Sequence, residues 1–376
     1  MKSKIAILTS GHSPFDERLF YKFAHSLKNN NFETAIFCST QNIDEIKDEI
    51  IIKGFASENL NKRGKINKFR DLLVEFKPDI IICAEILPIL AAHKYKKELN
   101  QICKIIYDVT EWYPENYSLK LPFYIYYLIY PVLYIFQYFT IQKVDGIIFG
   151  EARKIRRFNF LAPTKKKKFI SYYPVLKYFE YSAPSFNEKE LTICFTGLLK
   201  EDRGIFKFTN AAKKISEVHP DLKLKIKLIG KFIEAQTKEK IENILPNKSN
   251  YELEIIDWQP YYKISEMLKD VDICFDLREY NFIHNNSLPI KLFEFMACGK
   301  PVIYSAIPAI KDLFENDLFG YFVNPDNEKE ILEKINKYIH DRTILERHSN
   351  KGRELSEIFY NWEKIEKDLI DFIKEI

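Results

Sequence analysis

The chain contains 376 residues, of which 46% are hydrophobic, 29% are charged and 15% are aromatic. This balance is typical of a folded enzyme and excludes a disordered tail or a fibre, and the length favours two domains, each with its own core. The formal net charge of +4 is small for this length, so the overall charge does not indicate nucleic acid as a partner.

The cysteines indicate neither a metal site nor a disulfide framework. They are widely spaced, form no C-x-x-C pair and have no histidine partner at metal-ligand spacing. Most of them fall in apolar, strand-like runs, which favours buried, reduced thiols in a cytosolic protein. The apolar run at residues 4–10 is too short for a signal peptide and is expected to be a first buried strand. The cysteines are Cys38, Cys83, Cys103, Cys194, Cys274 and Cys298.

Short apolar runs alternate with amphipathic stretches in the first half of the chain. Strands are predicted over residues 4–10, 34–39 and 79–85, with amphipathic stretches over 16–31 and 66–76 between them. Apolar strands of this length without polar alternation are typical of a parallel sheet that is covered on both faces. Their alternation with helices indicates βαβ units.

The same pattern starts again after Tyr173. The stretch 172–190 loses periodicity and contains prolines, so we place the join between the two halves there. A helix is predicted from about Gly204 and a short one over residues 263–270. The predicted strands of this half are 191–197, 224–230, 251–257, 271–276 and 301–306.

The sequence therefore predicts an α/β fold with two doubly wound, Rossmann-like domains facing across a cleft. The N-terminal domain is expected over residues 1–175 and the C-terminal domain over 185–350, with a C-terminal helix in 351–376 packing back toward the N-terminal domain. Ligands of open α/β sheets bind outside the carboxyl ends of the strands, so we expect the site in the loops there. The fingerprint G-x-G-x-x-G is absent after the first strand, which counts against a dehydrogenase.

One candidate loop, residues 195–208, follows a predicted strand and opens a helix. Gly197 and Gly204 bracket a polar turn that contains Arg203. Glycines permit close backbone approach, and a helix N-terminus together with an arginine favours an anion such as phosphate. A strand-loop-helix turn also needs glycine for purely structural reasons, so this loop alone does not define a site.

A second candidate is the apolar helix predicted within residues 287–303, which carries two charged side chains. Glu294 is expected near its first turns, where the helix dipole favours a carboxylate that could accept hydrogen bonds from the hydroxyls of a ribose. Lys291, one turn earlier, could meet a phosphate. The alternative interpretation makes Glu294 the partner of a nearby cation and Lys291 a snorkelling surface residue.

These stretches carry a family resemblance. The sequence LPIKLFEFMACGKPVI, residues 288–303, resembles the donor-site helix of the glycosyltransferases of family 4, two-domain GT-B enzymes that use nucleotide-diphosphate sugars. Residues 10–27, 105–116, 196–205 and 361–373 are similar to further motifs of that family, in the same order along the chain. The resemblance therefore covers nearly the whole chain.

The resemblance implies roles for individual residues, and the match is incomplete. The family has two donor glutamates with seven residues between them; the second falls on Glu294, which would hold the ribose, and the first falls on Asn286. The arginine that often follows the phosphate-loop glycine is Leu198 here, whereas Arg203 is the later basic position. The family's mid-domain histidine, often close to the transferred sugar, falls on Thr110.

His12, Asp16 and Arg18 match residues of one branch of the family, although Asp16 and Arg18 are equally well explained as a helix-start carboxylate and its partner. Asp108, Glu111 and His12 are suited to orient the acceptor hydroxyl or the sugar. The candidate catalytic residues are His12, Asp108, Thr110 and Glu111. The candidate donor-binding residues are Gly197, Arg203, Trp258, Asn286, Leu288, Pro289, Ile290, Lys291 and Glu294.

Arg203, Lys291 and helix amides could stabilise the leaving diphosphate, so the expected reaction needs neither a metal nor a cofactor. No Asp-x-Asp pair follows a predicted strand. The family resemblance implies that the anomeric configuration is retained.

The segment 121–142 is uncharged, rich in tyrosine and about as long as a membrane span. Because it lies within the first domain, we interpret it as one or two helices that present aromatic side chains to a membrane interface. The basic runs within 153–168 would then attract anionic lipid. The alternative is a core helix pair in an aromatic-rich protein.

The predicted function is transfer of a sugar from a nucleotide-diphosphate donor to a glycan or lipid-linked acceptor in surface polysaccharide biosynthesis. The expected location is the cytoplasm, peripheral on the inner face of the membrane. One rival function is a nucleotide-sugar epimerase on the same fold. Another is a non-catalytic glycosyltransferase-like partner protein, which Asn286 and Thr110 favour.

Overall fold

The computed structural model describes residues 2–185, 187–246 and 251–376. It divides the chain into unit 1, comprising Met1–Tyr172 and Glu363–Ile376, and unit 2, comprising Tyr173–Trp362. The predicted C-terminal segment 351–376 is thereby divided between the two units, because its first residues continue a helix of unit 2 and only residues from Glu363 onward belong to unit 1.

Unit 1 is built on one sheet of eight strands. They are β1 (Lys4–Thr9), β2 (Glu33–Cys38), β3 (Ile43–Lys47), β4 (Ile50–Gly54), β5 (Ile80–Cys83), β6 (Lys104–Val109), β7 (Gly146–Phe149) and β8 (Lys166–Phe169). Their order is β3-β4-β2-β1-β5-β6-β7-β8, and all neighbours are parallel except β3 and β4. The central strands are buried on both faces, as their continuous apolar sequences predict.

Helices connect these strands. The predicted amphipathic stretch 16–31 starts at Asp16, whose carboxylate accepts hydrogen bonds from the backbone N–H groups of Arg18 and Leu19, and it begins with a π-helical segment. This segment is Glu17–Ala24, and the helices that follow are α1 (His25–Asn29), α2 (Lys62–Phe76), α3 (Ile86–Glu98), α4 (Glu115–Ser118), α5 (Phe123–Ile141) and α6 (Ile155–Leu161).

The hairpin of β3 and β4 was not predicted from the sequence. Its turn residues Asp48 and Glu49 have φ angles of 52° and 64°, a left-handed conformation for which glycine or asparagine is the usual signal. The outer strand β3 is mostly exposed, and three of its five residues are charged, which suits a sheet edge.

Unit 2 has six parallel strands in the order β11-β10-β9-β12-β13-β14. They are β9 (Glu190–Leu199), β10 (Lys223–Phe232), β11 (Tyr251–Ile256), β12 (Ile273–Asp276), β13 (Val302–Ser305) and β14 (Gly320–Val323). The helices are α7 (Ile205–Val218), α8 (Ala235–Ile244), α9 (Ile264–Met267), α10 (Phe282–Asn286), α11 (Ile290–Ala297), α12 (Pro308–Lys311), α13 (Glu328–His340) and α14 (Arg342–Ile358).

The last helix, α15 (Trp362–Glu375), packs on the edge of the unit 1 sheet. A Cβ atom built on Gly146 of β7 would lie 2.9 Å from the ring of Phe372 and 2.6 Å from the side chain of Ile376, so the helix approaches this strand closely. Nζ of Lys168 on β8 lies 2.6 Å from a carboxylate oxygen of Asp368.

The uncharged segment 121–142 forms the single helix α5, which continues through Pro131. Only 17% of its apolar window is buried, so the interpretation as a core helix pair is wrong. Within the described residues, α5 is the helix whose length and composition would suffice to cross a membrane.

Candidate active site

A buried ion cluster lies at the carboxyl end of β12 in unit 2. Asp276 is the last residue of that strand and is fully buried. Its carboxylate accepts hydrogen bonds from Nε and Nη2 of Arg278 at 2.8 and 2.5 Å and lies 3.0 Å from Nζ of Lys291. Burial alone would raise the pKa of Asp276, but the two cations hold it well below its usual range. The ionised carboxylate therefore fixes both cations at this edge of the sheet.

Lys291 reaches the cluster because Gly197 leaves room for its side chain. Nζ of Lys291 donates a hydrogen bond to the carbonyl oxygen of Thr196 at 2.6 Å, and a Cβ built on Gly197 would lie 3.1 Å from the same nitrogen. Gly197 also has a φ of 100°, which strains any residue that carries a side chain. The interpretation of Lys291 as a snorkelling surface residue is therefore wrong, since its ammonium group is directed at Asp276 inside the unit.

Arg203 adds a third cation to this edge. The backbone N–H of Glu279 donates to the carbonyl oxygen of Asp202 at 3.0 Å, which joins the Arg203 loop to the loop that contains Arg278. Burial, followed by repulsion from Arg278, lowers the pKa of Arg203. In the described part of the chain no carboxylate forms an ion pair with its guanidinium. The carboxylate of Asp202, which lies 3.1 Å from Nζ of Lys200, also acts on Arg203 and Arg278. The cations of this edge thus outnumber its carboxylates, and the excess positive charge suits an anion.

At the start of α7, glycine is required by packing as well as by backbone conformation. Gly204 has a φ of 86°, and a Cβ at this position would lie 2.0 Å from the carbonyl oxygen of Leu277. The helix predicted from about Gly204 is confirmed, since α7 begins at the next residue. The close approach brings Arg203 beside the end of β12.

His284 lies near the same cations and was not predicted as a site residue. Its Nδ1 lies 2.9 Å from the carbonyl oxygen of Glu279 and 3.1 Å from Nδ2 of Asn281. Burial, with repulsion from Arg278 and Arg203, lowers the pKa of His284 to about 4. The imidazole is therefore neutral at pH 7 and adds no charge to the edge.

The two positions of the expected glutamate pair differ in their surroundings. Glu294 is 8% exposed and is the fifth residue of the eight-residue helix α11, so it lies at the start of the second turn, within the first turns where it was expected. Asn286 ends α10, and its Nδ2 donates a hydrogen bond to the carbonyl oxygen of Phe282 at 2.8 Å. This edge of unit 2 therefore offers one buried carboxylate and one carboxamide.

The other predicted donor residues are less informative. Leu288 and Pro289 are buried and lead into α11, whose first residue is Ile290. Trp258 follows β11 and is 60% exposed. Because β10 and β9 lie between β11 and β12 in the sheet, a donor contact of Trp258 stays a prediction.

A cavity of about 640 Å³ lies beside the ends of β13 and β14. Tyr280, Lys311, Phe322 and Asn324 are among the residues that line it. None of the predicted site residues does so, and the anion-binding features described above lie at β9 and β12 instead.

In unit 1, Asp108 forms a closed pair with Arg18 instead of facing a substrate. Nε and Nη2 of Arg18 donate to the two carboxylate oxygens of Asp108 at 2.6 and 2.8 Å, and Nη1 donates to the carbonyl oxygen of Ser171 at 3.2 Å. Neither Asp108 nor Arg18 is more than 2% exposed. The expectation that Asp108 orients an acceptor hydroxyl is therefore corrected: its oxygens are occupied inside the unit.

His12 lies at the carboxyl end of β1 among carboxylates. Its ring nitrogens are 3.5 Å from an oxygen of Asp16 and 3.6 Å from an oxygen of Glu85. Burial lowers its pKa, but Asp16, Glu85 and Glu111 outweigh this effect and raise the pKa of His12 to about 9. At pH 7 the imidazole is protonated and can donate hydrogen bonds but cannot accept a proton. The partner of Asp16 is thus His12 and not Arg18.

Thr110 and Glu111 follow β6 and differ in exposure. Oγ1 of Thr110 donates to the carbonyl oxygen of Ala84 at 3.0 Å, which joins the ends of β6 and β5. Glu111 is exposed, and its carboxylate accepts a hydrogen bond from Nδ2 of Asn116 at 2.7 Å. Glu111 is therefore the predicted residue of unit 1 with an accessible carboxylate.

Sequence reasoning did not identify Asp276, Arg278, His284 or Glu85 as site residues. Glu85 follows β5 and accepts hydrogen bonds from the backbone N–H groups of Ser10 and Gly11 at 2.8 and 3.1 Å. A usable signal was present, because Asp276, Arg278 and Glu85 are charged residues at the carboxyl ends of buried parallel strands. His284 carried no comparable signal.

Comparison with solved structures tests the predicted fold. The chain resembles sucrose-phosphate synthase from Thermosynechococcus elongatus, with a TM-score of 0.78 and 13% identity over 100% of this chain and 99% of that one. It also resembles Anabaena HepE in complex with UDP and glucose, with a TM-score of 0.73 and 12% identity over the whole of both chains. The predicted α/β fold of GT-B type is thereby confirmed.

The sequence also matches a protein family over part of its length. Residues 179–355, slightly less than half of the chain, match the family model of the group 1 glycosyl transferases. An uncharacterized glycosyltransferase of Methanocaldococcus jannaschii is 22% identical over 241 residues, which are 60% of this chain and 64% of that protein. The chain thus aligns with slightly less than two thirds of that relative. The resemblance is confirmed at the level of group 1, and membership in family 4 stays a prediction.

Proposed function

We propose that this chain is a glycosyltransferase that moves a sugar from a nucleotide-diphosphate donor to a glycan or lipid-linked acceptor. The observation that carries the proposal is the cationic edge of unit 2, in which Arg203, Arg278 and Lys291 lie around the carboxylate of Asp276 and cations outnumber carboxylates. A diphosphate supplies the negative charge that this arrangement lacks. The group 1 match of the same unit supports this choice.

The cations also suit the departure of the diphosphate. During transfer the bond between the anomeric carbon and the diphosphate oxygen breaks, a bond to the acceptor oxygen forms, and the acceptor hydroxyl loses its proton. Negative charge accumulates on the leaving phosphate, where Arg203 and Lys291 can stabilise it from fixed positions. We therefore propose that the reaction does not depend on a metal ion. Retention of anomeric configuration is proposed from the family resemblance alone.

Glu294 is the proposed ribose ligand. Its carboxylate is in α11, the helix that also carries Lys291, so one short element would hold both the ribose and the diphosphate. A carboxylate is a strong acceptor for two neighbouring hydroxyls. Asn286 stands where the family has its other glutamate, and we propose that it alters the choice of sugar instead of abolishing binding.

Unit 1 would receive the acceptor. Protonated His12 can donate a hydrogen bond to a hydroxyl, and the exposed carboxylate of Glu111 can accept one. We propose a role in surface polysaccharide biosynthesis at the cytoplasmic face of a membrane. The six cysteines are buried and unpaired, which supports a reducing compartment.

The test is binding of nucleoside diphosphates, measured by calorimetry with UDP, GDP and ADP in turn. We expect one of them to bind and Arg203→Ala to weaken that binding, whereas Lys214→Ala, which removes an exposed cation of α7, should not. Failure of every diphosphate to bind would contradict the proposal. Product analysis then separates the rivals: a transferase forms a glycoside, an epimerase only changes the sugar, and a non-catalytic protein does neither.

A further inference from the structure

The inward face of α5 carries the polar groups of this helix. Tyr126, Tyr130, Tyr134 and Gln137 recur at helical spacing on the side that packs against the unit. The hydroxyl of Tyr130 donates to a carboxylate oxygen of Glu115 at 3.1 Å, and Gln137 is buried. These contacts attach the helix to unit 1.

The outward face of α5 is uncharged and mostly apolar. Tyr124, Leu128, Val132, Ile135 and Phe139 recur at intervals of four, four, three and four residues, and all of them are exposed. Leu128 is 72% exposed and Phe139 is 60% exposed. We call these five residues the outer stripe. A surface helix in water normally has the opposite arrangement, with its apolar side toward the core.

The topology excludes a span through a bilayer. The strands before and after α5, β6 and β7, pair with each other in one sheet, with Ile106 opposite Gly146 and Val109 opposite Phe149. Both ends of α5 therefore lie on the same side of any membrane. The C-terminal end is also attached to α6, since Nε2 of Gln142 donates to the carbonyl oxygen of Leu161 at 2.9 Å.

The chain segment that contains α5 carries charges of one sign. No aspartate or glutamate occurs between residues 116 and 144, whereas Lys120 precedes the helix and Lys143 follows it. Arg156 on α6 is exposed as well. Positive charge at both ends of an apolar helix fits the anionic headgroups that border the hydrocarbon of a membrane.

The basic runs within 153–168 offer fewer cations to a membrane than the sequence predicts. Lys154 is fully buried and pairs with Glu151. Nη1 of Arg157 donates to a carboxylate oxygen of Glu115 at 2.8 Å, and Lys168 pairs with Asp368 on α15. These side chains stabilise unit 1 and are not available to lipid.

We propose that α5 lies in the plane of an anionic lipid leaflet, with the outer stripe inserted among the acyl chains and Lys120 and Lys143 at the headgroups. Tyrosine and phenylalanine at the two ends of the stripe suit the interface, and the aliphatic residues lie between them. A lipid-linked acceptor follows from this docking only together with the proposed function. The docking of α5 on a lipid leaflet does not itself depend on that function.

A second copy of the chain fits this surface less well than a lipid leaflet does. Two copies that covered the stripe by antiparallel pairing would place Lys120 of one chain beside Lys143 of the other. No carboxylate of the segment between residues 116 and 144 could compensate that repulsion. Anionic headgroups supply the missing negative charge, so docking on a lipid leaflet avoids this repulsion between lysines.

The first arm of the test is sedimentation of the full chain with phosphatidylcholine vesicles that contain phosphatidylglycerol. We expect binding that Leu128→Asp and Ile135→Asp each weaken by about tenfold or more, because a charge enters the acyl region. The matched control is Ile102→Asp, since Ile102 is 83% exposed in the same unit but lies outside α5. Equal loss in the control, or no vesicle binding by the wild type, would overturn the proposal.

The second arm measures orientation. The six native cysteines are buried, so a cysteine introduced in place of Tyr124, Val132 or Phe139 can be labelled selectively with an environment-sensitive fluorophore. An in-plane helix predicts similar quenching of all three labels by lipids brominated near the headgroup. Deep quenching at position 132 with shallow quenching at the other two would indicate a span and overturn the proposal.

Two further measurements distinguish the possible causes if vesicle binding is absent or lost. If the chain ignores vesicles but forms dimers that Leu128→Asp dissociates, a second copy covers the stripe and the lipid proposal is wrong. Nucleoside diphosphate binding by Leu128→Asp is measured in the same samples. We expect this variant to retain nucleotide binding. Loss of vesicle binding with intact nucleotide binding would show that the substitution affects membrane docking and not the proposed donor site.

Discussion

The carboxyl edges of the two sheets hold charges of opposite sign. In unit 2, Arg203, Arg278 and Lys291 outnumber the carboxylate of Asp276. In unit 1, protonated His12 is outnumbered by carboxylates, among them Glu85 and Glu111. The same strand-loop-helix architecture can thus offer either a receptor for a diphosphate or a site for neutral hydroxyls, and the residues that follow each strand decide which.

The two edges also use their buried ion pairs differently. In unit 1, Arg18 and Asp108 satisfy each other and leave no net charge. In unit 2, the same kind of pair, Asp276 with Arg278, is joined by Lys291 and so remains positive. We infer that the first pair serves the fold and that the second serves a ligand.

The largest expected effect comes from breaking the balanced pair. Asp108→Asn leaves the Arg18 guanidinium buried without a counter-charge, so the free energy of unfolding of unit 1 should fall by about 3–5 kcal/mol in denaturant titrations. The control is Asp71→Asn, which breaks an exposed pair with Arg70 and should cost less than about 1 kcal/mol. Unchanged stability with lost activity would instead mean that Asp108 contacts a substrate.

The next effect should appear in turnover. Arg203→Ala removes a cation of the unit 2 edge that has no carboxylate partner in the described residues, so kcat should fall by about 10²–10³, with a smaller rise in KM. Donor consumption by this variant and by Lys214→Ala provides the comparison. A rise in KM alone would make Arg203 a ligand of the ground state and not of the departing diphosphate.

Glu294→Gln should have a smaller effect, on binding. The change keeps the shape of the side chain but removes its charge, so nucleotide affinity should fall by about 1.5–3 kcal/mol in calorimetry while the melting temperature of the free protein stays similar. Glu217→Gln on α7 is the control, since Glu217 is an exposed glutamate of the same unit. Equal nucleotide affinity in the wild type and Glu294→Gln would show that Glu294 does not bind the ribose.

The smallest effect concerns the acidic edge of unit 1 and depends on pH. Because the carboxylates raise the pKa of His12 to about 9 from an ordinary value of 6.5, its contribution to stability is complete below pH 6.5. That contribution is lost as the pH rises to 9, since only the folded state then still binds the proton. His12→Gln should flatten this part of the curve of melting temperature against pH. A curve identical to that of the wild type would show that His12 is not held as a cation.

Much of the fold could be predicted because the parallel strands are continuous apolar runs, such as those at β1, β5 and β9, separated by amphipathic helices. The β3–β4 hairpin could not, because its turn uses Asp48 and Glu49 where the usual signal is glycine or asparagine. The segment 121–142 was predicted to be helical, which α5 confirms, but only the structure shows which of its faces is outward.

The sequence predicted which loops form the candidate site, but not which side chains pair with each other there. Lys291 and Arg203 were identified from position and charge, and both lie at the cationic edge. Asp108 was misassigned because its partner, Arg18, is 90 residues away in sequence. Long-range pairing of this kind leaves no local pattern, and the same holds for the contact between His12 and Glu85.

The most direct test of the central claim compares nucleoside diphosphates with their nucleosides. Calorimetry would measure uridine and UDP, guanosine and GDP, and adenosine and ADP against the wild type, Arg203→Ala and Lys214→Ala. The account predicts that one diphosphate binds far more tightly than its nucleoside, and that Arg203→Ala reduces this difference while Lys214→Ala preserves it. Equal affinity for each nucleoside and its diphosphate in the wild type would contradict the cationic edge as a diphosphate site.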